Sequence, residues 1–255
     1  MSDTYKEIQK IVTEIEEKEA VTILLAVESG SRAWGFASPD SDYDVRFIYV
    51  RNQKEYLKLN EGKDVIEWQL DDVLDVNGWD LKKALMQFHR SNATLFEWSN
   101  SPIVYKKSTL WEEIYERAKI YFSRKAAIYH YYGTARSTLN GYLLEEQVKY
   151  KKYFYSLRPL LACQYIEQYN SVPPVLFDDL LQMDLPKGLR QGIDELLEVK
   201  KVTDEKEVNP HIPVIIDFIK TEMERQKQLV EVMEDDRRKE WDTLNQLFLD
   251  ILSNV

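Results

Sequence analysis

The sequence is poor in several residue types, and each shortage limits what the chain can be. It has one cysteine, Cys163, so it can form neither an intrachain disulfide nor a cysteine-based zinc site. Only eight glycines and eight prolines occur among 255 residues, which excludes collagen-like and linker-dominated chains. The three histidines are far apart and lack the spacing of metal ligands.

Positive charge and long apolar runs are also scarce. Lys and Arg number 34 against 44 Asp and Glu, so the net charge is −10. This balance argues against a broad, non-specific grip on duplex nucleic acid, but it allows a nucleotide or an RNA end in a locally basic site. The longest apolar-rich run, residues 20–27, is much shorter than the about 20 residues of a membrane span. Because residues 1–6 also lack the apolar core of a signal peptide, we expect a cytoplasmic protein with no membrane partner.

The apolar residues that are present follow clear periods. Helical spacing predicts a helix over residues 5–18, and apolar runs predict strands over residues 20–27, 43–50 and 74–79. Residues 56–59 and 65–70 have the pattern of shorter strands, and Asp80 stands where a cap for a helix over residues 81–89 belongs. From residue 93 onward the chain has the pattern of successive helices, with a long amphipathic segment over residues 218–252. We therefore predict an α+β protein, with a small α/β domain over residues 1–105 and an all-helical domain over residues 106–255.

The residues that suggest chemistry lie between the first two strands. Gly30 and Ser31 directly follow one strand, and Asp42 and Asp44 open the next. Because side chains alternate along a strand, the two carboxylates point to the same side, roughly 6–7 Å apart. A Mg²⁺ or Mn²⁺ ion would remove their mutual repulsion, since both ions prefer oxygen ligands. Gly30 would let a phosphate approach the backbone, and Ser31 offers a hydroxyl and an amide N–H.

Longer strings carry a family resemblance. Gly-Ser followed about ten residues later by Asp-x-Asp at a strand resembles the signature of the DNA polymerase β-type nucleotidyltransferases. The string GSRAWGFASPDSDYDVRFIY, with NGWDLKKAL (77–85), SNATLFEWSNSPIVY (91–105) and KKYFYSLRPLL (151–161), resembles predicted nucleotidyltransferases of the RNA-repair-pathway polymerase β-like family. The resemblance covers roughly residues 20–180.

The resemblance implies a nucleotidyltransferase palm of about five strands, followed here by the helical domain, with three carboxylates around Mg²⁺ (or Mn²⁺). The first two carry over to Asp42 and Asp44. For the third, usually on a neighbouring strand, we favour Asp75 over Asp80 and Glu67, because Asp80 serves more naturally as a helix cap. The residue before the motif glycine is commonly apolar in the superfamily, whereas this chain has Ser29.

Basic residues near these motifs are candidates for binding the nucleotide, with ordinary ion pairing or solvation as the alternative. Arg32 and Arg46 adjoin the acidic positions, and Lys83 lies in the first turn of a helix, where the dipole disfavours cations. Within a basic and aromatic helix, Lys151 and Arg158 share a face. With Lys152, they could clamp a triphosphate or an acceptor.

The function that these features predict is transfer of a nucleoside monophosphate from a nucleoside triphosphate, such as ATP, to an acceptor hydroxyl. Pyrophosphate would leave, and an RNA end is the favoured acceptor, with a protein or a small molecule as alternatives. A hypothesis of a different class is a nucleotide-binding or partner-binding module without turnover. Geometry discriminates between these classes: a third carboxylate close to Asp42 and Asp44 favours catalysis.

Overall fold

The computed structural model describes residues 3–38, 41–60, 62–71, 73–202 and 207–254. Its main sheet has five strands, which are β1 (Val21–Glu28), β2 (Tyr43–Arg51), β3 (Val65–Leu70), β4 (Leu74–Asp80) and β5 (Val104–Lys107). They lie in the order β3-β4-β2-β1-β5. Strands β2 and β4 pair in parallel, whereas the other three pairs are antiparallel. A separate two-stranded sheet joins β6 (Gln147–Val148) to β7 (Asn209–Pro210). The predicted combination of a mixed α/β part with a largely helical C-terminal part is confirmed.

Helices make up most of the remaining described chain. They are α1 (Asp3–Glu19), α2 (Gly30–Trp34), α3 (Gln53–Tyr56), α4 (Leu81–His89), α5 (Ala93–Ser99), α6 (Thr109–Ala118), α7 (Arg124–Tyr142), α8 (Lys151–Tyr169), α9 (Phe177–Leu180), α10 (Lys187–Val202), α11 (Pro213–Val232) and α12 (Asp242–Leu252), with a 3₁₀ turn at Lys119–Tyr121. No helix in the described ranges is both long and apolar enough to cross a membrane.

Helix α1 packs on one face of the sheet through residues at helical spacing. Ile8, Val12 and Ile15 are buried, and they belong to the same apolar cluster as Val45 and Phe47 of β2. Burial of each such side chain contributes about 1.5–3 kcal/mol relative to exposure. The helix predicted at residues 5–18 and the strand predicted at residues 43–50 are both confirmed.

The end of β4 leads directly into α4. Asp80 Oδ1 accepts a hydrogen bond from the Lys82 amide at 2.8 Å, so the predicted helix cap is confirmed. The Tyr56 hydroxyl donates to Asp80 Oδ2, also at 2.8 Å. The strand predicted at residues 56–59 is wrong, because Asn52 caps the short helix α3 by accepting from the Lys54 amide at 3.1 Å.

Three other predictions need correction. The segment between the first two strands, for which the sequence predicts no helix, contains the short helix α2, and the stretch predicted as helical from residue 93 includes strand β5. The long helix predicted over residues 218–252 is two helices, α11 and α12. Between them, Asp236 accepts a hydrogen bond from the Arg124 amide at 2.9 Å and another from the Ser123 hydroxyl. This segment therefore caps the start of α7 instead of continuing a helix.

The chain divides into two compact units. The first consists of Met1–Trp34, Ser41–Phe122 and Arg237–Val255, and the second of Gly35–Asp40 and Ser123–Asp236. The first unit contains the five-stranded sheet, α1 to α6 and α12; the second contains α7 to α11. This division differs from the boundary expected at residue 105, since α6 and α12 belong to the unit of the sheet.

Candidate functional site

Two carboxylates lie side by side on the parallel strands β2 and β4. Asp44 pairs with Asp75 in the strand register, so their side chains leave the sheet from the same face. One guanidinium joins them: Arg46 Nη2 is 3.2 Å from Asp44 Oδ1 and 2.6 Å from Asp75 Oδ2. Asn77, the next residue on this face of β4, donates its amide to Asp75 Oδ1 at 3.2 Å. The register therefore creates a small polar cluster that sequence spacing does not define.

Glu28, at the end of β1, supports Asp44 from behind. Its side chain is fully buried, and Oε1 accepts a hydrogen bond from the Asp44 amide at 2.7 Å. The Tyr105 hydroxyl donates to its other oxygen. Burial raises the pKa of Glu28; the hydrogen bonds from Tyr105 and from the Asp44 amide oppose that rise. Sequence reasoning missed this residue, although an acidic residue ending an apolar strand just before Gly30 and Ser31 was a usable signal.

Gly30 approaches the Asp44 carboxylate closely. Its φ is +60°, and a Cβ added there would lie 2.1 Å from Asp44 Oδ2. A side chain at this position would therefore displace the carboxylate, in a backbone conformation that favours glycine. Ser31, the second residue of α2, directly follows Gly30 in the chain. The backbone is tied here as well, because the Ser29 amide donates to the Asp44 carbonyl at 2.8 Å.

Arg32 holds the segment that leads into β2. Its Nε donates to the carbonyl of Ser41 at 3.1 Å and to that of Asp42 at 3.0 Å. The guanidinium also lies over the ring of Tyr43, 3.8 Å from the ring centroid. Asp42 itself is exposed. The contacts of Arg32 therefore fix the backbone of the Asp42 segment.

Asp44 is the electrostatic centre of the cluster. Burial raises the pKa of its carboxyl group, the charges of Asp75 and Asp42 raise it further, and Arg46 lowers it. The two other predicted carboxylates, Asp42 and Asp75, therefore both raise the pKa of Asp44. Their oxygens are the donor type that Mg²⁺ and Mn²⁺ prefer.

The carboxylates of Asp44 and Asp75 bind Arg46, and they do not form a complete set of metal ligands with a third such side chain of the described residues. Across the described ranges, no three acidic, histidine or cysteine side chains are arranged to hold a metal. Arg46 supplies the positive charge between Asp44 and Asp75. The donor chemistry fits a divalent cation, but such an ion would have to displace Arg46 from both carboxylates.

The two alternative third carboxylates and Lys83 lie elsewhere. Asp80 is five residues beyond Asp75 on β4, roughly 17 Å along the strand, where it caps α4. Glu67 of β3 pairs with Asn77 in the strand register. Lys83 forms an ion pair with Asp64 at 3.1 Å, near the same end of the sheet as Asp80. Of the three acidic candidates, Asp75 is the one that lies opposite Asp44.

The basic residues predicted on α8 belong to the second unit. Lys151 is half-buried at the start of the helix, and the Lys152 ammonium lies 3.8 Å from the centroid of the Tyr142 ring. Arg158 is only 2% exposed, and its Nε donates to the Val175 carbonyl at 3.1 Å. The guanidinium of Arg158 is therefore buried in this unit, and its role in binding a triphosphate or an acceptor stays a prediction.

Comparisons with known proteins identify the family. Residues 5–250 match the model of the RNA repair pathway DNA polymerase beta family, and the chain belongs to that family. It is 41% identical over 252 residues to the uncharacterized protein YcgL of Bacillus subtilis (strain 168), covering 97% of each chain. A solved nucleotidyltransferase-like protein from Exiguobacterium sibiricum 255-15 is 9% identical, with a TM-score of 0.29 over 97% of this chain and 80% of that one. The family membership indicates a polymerase β-like nucleotidyltransferase.

Proposed function

We propose that the protein transfers a nucleoside monophosphate from a nucleoside triphosphate to an acceptor hydroxyl and releases pyrophosphate. The observation that carries this proposal is the register that sets Asp44 opposite Asp75, with Gly30 against the Asp44 carboxylate. Phosphoryl transfer can use two adjacent carboxylates to hold a cation, and here a glycine allows one of them to lie against the backbone, with a serine next in the chain. The membership in a polymerase β family supports the same reaction.

In this reaction an acceptor oxygen bonds to the α-phosphorus while the bond from that phosphorus to the bridging oxygen of pyrophosphate breaks. The acceptor proton leaves for a base or for water. We assign Asp42, Asp44 and Asp75 to hold a Mg²⁺ or Mn²⁺ ion, which when bound supplies positive charge to the triphosphate oxygens. Gly30 and Ser31 would position the phosphates. Glu28 would keep Asp44 in place by accepting the hydrogen bond from the backbone amide of Asp44.

Arg46 has a defined part in this proposal. It neutralises Asp44 and Asp75 as a pair. If Asp44 and Asp75 held a divalent cation instead, the Arg46 guanidinium would lie beside the site and could bind a phosphate oxygen. Arg32 would keep its bonds to the carbonyls of Ser41 and Asp42, and so support the loop instead of the ligand.

The acceptor that we propose is an RNA end. The family description, which refers to an RNA repair pathway, supports this choice. An acceptor protein or small molecule would use the same carboxylates, so the acceptor has to be found by experiment.

The test is transfer from each α-labelled ribonucleoside triphosphate with Mg²⁺ or Mn²⁺, with RNA, cell-extract protein and small molecules offered as separate acceptors. Asp44→Asn and Asp75→Asn should each lower the rate by about 10²–10³-fold or more. Each removes a negative charge needed to hold the metal ion, whose positive charge would stabilise the reacting phosphate. Glu67→Gln is the matched control, since it removes an exposed carboxylate from the neighbouring strand and should leave the rate unchanged. Label in RNA that persists undiminished in both variants would refute the proposed site.

A non-catalytic nucleotide-binding function is the second candidate, and one observation favours it. Arg46 occupies the space between Asp44 and Asp75, as it would in a site that has no need of a metal. Nucleotide binding with no transfer to any acceptor, unchanged by Mg²⁺ or Mn²⁺, would support this alternative.

A further inference from the structure

A cavity of about 880 Å³ opens at the other end of the sheet from Asp44 and Asp75. It lies between the end of β2, α3, the chain leading to β3 and the start of α4. Asp80, at the C-terminal end of β4, is part of its wall. A cavity of this size is within the range of small-molecule sites, which is about 300–1,000 Å³. The cavity and the carboxylate cluster are thus separate places in the same unit.

The walls of this cavity are basic in an acidic protein. Its positively charged lining residues are Arg51, Lys58, Lys63, Lys82 and Lys83. Three acidic residues also line it among the residues that the structure describes, so cations exceed anions there, whereas the whole chain carries −10. Crowding like charges raises the electrostatic free energy of the empty cavity, and a bound anion would lower it.

The three acidic residues are already engaged. Asp80 is 4% exposed and serves as the cap of α4. Glu55 pairs with Lys58 at 2.6 Å, and Asp64 pairs with Lys83 at 3.1 Å. These two pairs neutralise Lys58 and Lys83, two of the five cations.

Lys63 and Lys82 are the two cations left without an acidic partner among the described residues, and both are exposed. Lys82 also lies in the first turn of α4, where the helix dipole disfavours a positive charge. Arg51 is 3.8 Å from Glu19 across their charged atoms, a loose ion pair. Two ammonium groups are therefore ready to bind an anion at the cavity.

Apolar surface accompanies these charges. Leu59 and Met86 line the cavity, and their side chains are exposed, Leu59 fully and Met86 by 37%. An inorganic anion needs no such surface, whereas a nucleotide presents the flat face of a base or a sugar next to its phosphate. The combination of unpaired lysines and exposed apolar side chains matches a nucleotide unit.

We propose that this cavity is a second phosphate-binding site, which takes a phosphate-bearing nucleotide unit, either free or within single-stranded RNA. Lys63 and Lys82 bind the phosphate, while Leu59 and Met86 contact the base or sugar. The site is separate from the proposed transfer centre and needs no metal ion.

The test measures binding of three probes in the presence of EDTA: inorganic phosphate, AMP and a short fluorescein-labelled single-stranded oligoribonucleotide. The variant is Lys63→Ala with Lys82→Ala. The matched control is Lys6→Ala with Lys10→Ala, which removes two exposed lysines from α1, away from the cavity. We expect roughly tenfold weaker binding in the first variant and little change in the control, because only the first variant removes the two cations that would face the phosphate.

The three probes separate the sources of the phosphate. Tight, Lys63- and Lys82-dependent binding of the oligoribonucleotide, with a salt dependence whose slope falls by about 1.4 in the variant, supports an RNA strand. Dependence of AMP binding on the same lysines, with weak RNA binding, supports a free nucleotide. Equal losses in the two double variants, binding of phosphate only, or binding of none of the probes would overturn the proposal. Because EDTA excludes metal-dependent transfer, any of these failures leaves the proposed enzymatic activity untouched.

Discussion

Gly30→Ala should separate activity from stability, because the new methyl group would meet the side chain of Asp44. The added Cβ would lie 2.1 Å from Asp44 Oδ2, whereas ordinary contacts begin at 3.4 Å. The carboxylate oxygen therefore has to move by about 1.3 Å. That movement would also break the present alignment of Asp44 with Arg46, whose atoms are 3.2 Å apart.

The effect on stability should be modest. A side chain at φ of +60° costs roughly 1–2 kcal/mol in a left-handed conformation. Relief of the clash adds little, because the Asp44 side chain is 34% exposed and can rotate. For a protein of this size the sum corresponds to a fall in Tm of about 2–8 °C. The effect on the rate should be much larger, since a misplacement of about 1 Å can cost 10²-fold.

The assay compares initial rates of nucleotidyl transfer with thermal unfolding of the same preparations. Gly35→Ala is the matched control: its φ is +87°, so it has the same kind of backbone penalty, but its Cβ would approach Leu176 instead, at 3.2 Å. We expect similar losses of Tm in the two variants and about a hundredfold lower rate for Gly30→Ala only. Equal rates in the two variants would refute the idea that the close contact between Gly30 and the Asp44 carboxylate matters for transfer.

Three further predictions concern stability and reactivity. Gly78→Ala should lower the free energy of unfolding by about 1–3 kcal/mol in a denaturant titration, because its Cβ would lie 2.3 Å from the ring of Phe47; an unchanged midpoint would contradict this packing. Burial raises the pKa of Asp80 above 3.8, so the folded state retains its proton longer, and its contribution to stability falls as pH rises from about 3.8 through the raised value. Asp80→Asn should therefore remove that part of the decline in unfolding titrations at several pH values, and identical pH dependence in both proteins would disprove it. Burial also raises the pKa of Cys163 well above its ordinary value, so a thiol reagent should label one group per chain in denaturant and almost none in the native protein; rapid native labelling would show that the thiol is accessible.

Local signals made several elements predictable from sequence. The helix at residues 5–18 has an apolar stripe, and the cap at Asp80 stands directly before its helix. Strand β5 was missed because it is only four residues long and pairs with β1, far away in the chain. The break between α11 and α12 depends on Asp236, whose partners are on α7. Such long-range partners leave no periodic signal in the sequence.

The residues of the candidate site also divide into those with a local signal in the sequence and those whose position depends on distant partners. The alternation of side chains along a strand predicts a common face for Asp42 and Asp44, and the choice of Asp75 as the third carboxylate likewise stays a prediction. The helix cap predicted at Asp80 is confirmed. The position of Asp75 opposite Asp44 depends on a parallel register between strands that are not consecutive, which no spacing reveals. The burial of Glu28 was hidden for a similar reason, because Tyr105, which donates to it, comes from the distant strand β5.

The return of α12 to the unit of the sheet has a consequence for protein synthesis. In α12, Phe248 packs edge-on against Tyr56, with ring centroids 5.2 Å apart, and Asp250 pairs with Arg117 at 3.0 Å. These contacts form only after the ribosome has made the whole intervening helical unit, since translation proceeds from the N-terminus. The unit that holds Asp44 and Asp75 is therefore begun first and completed last.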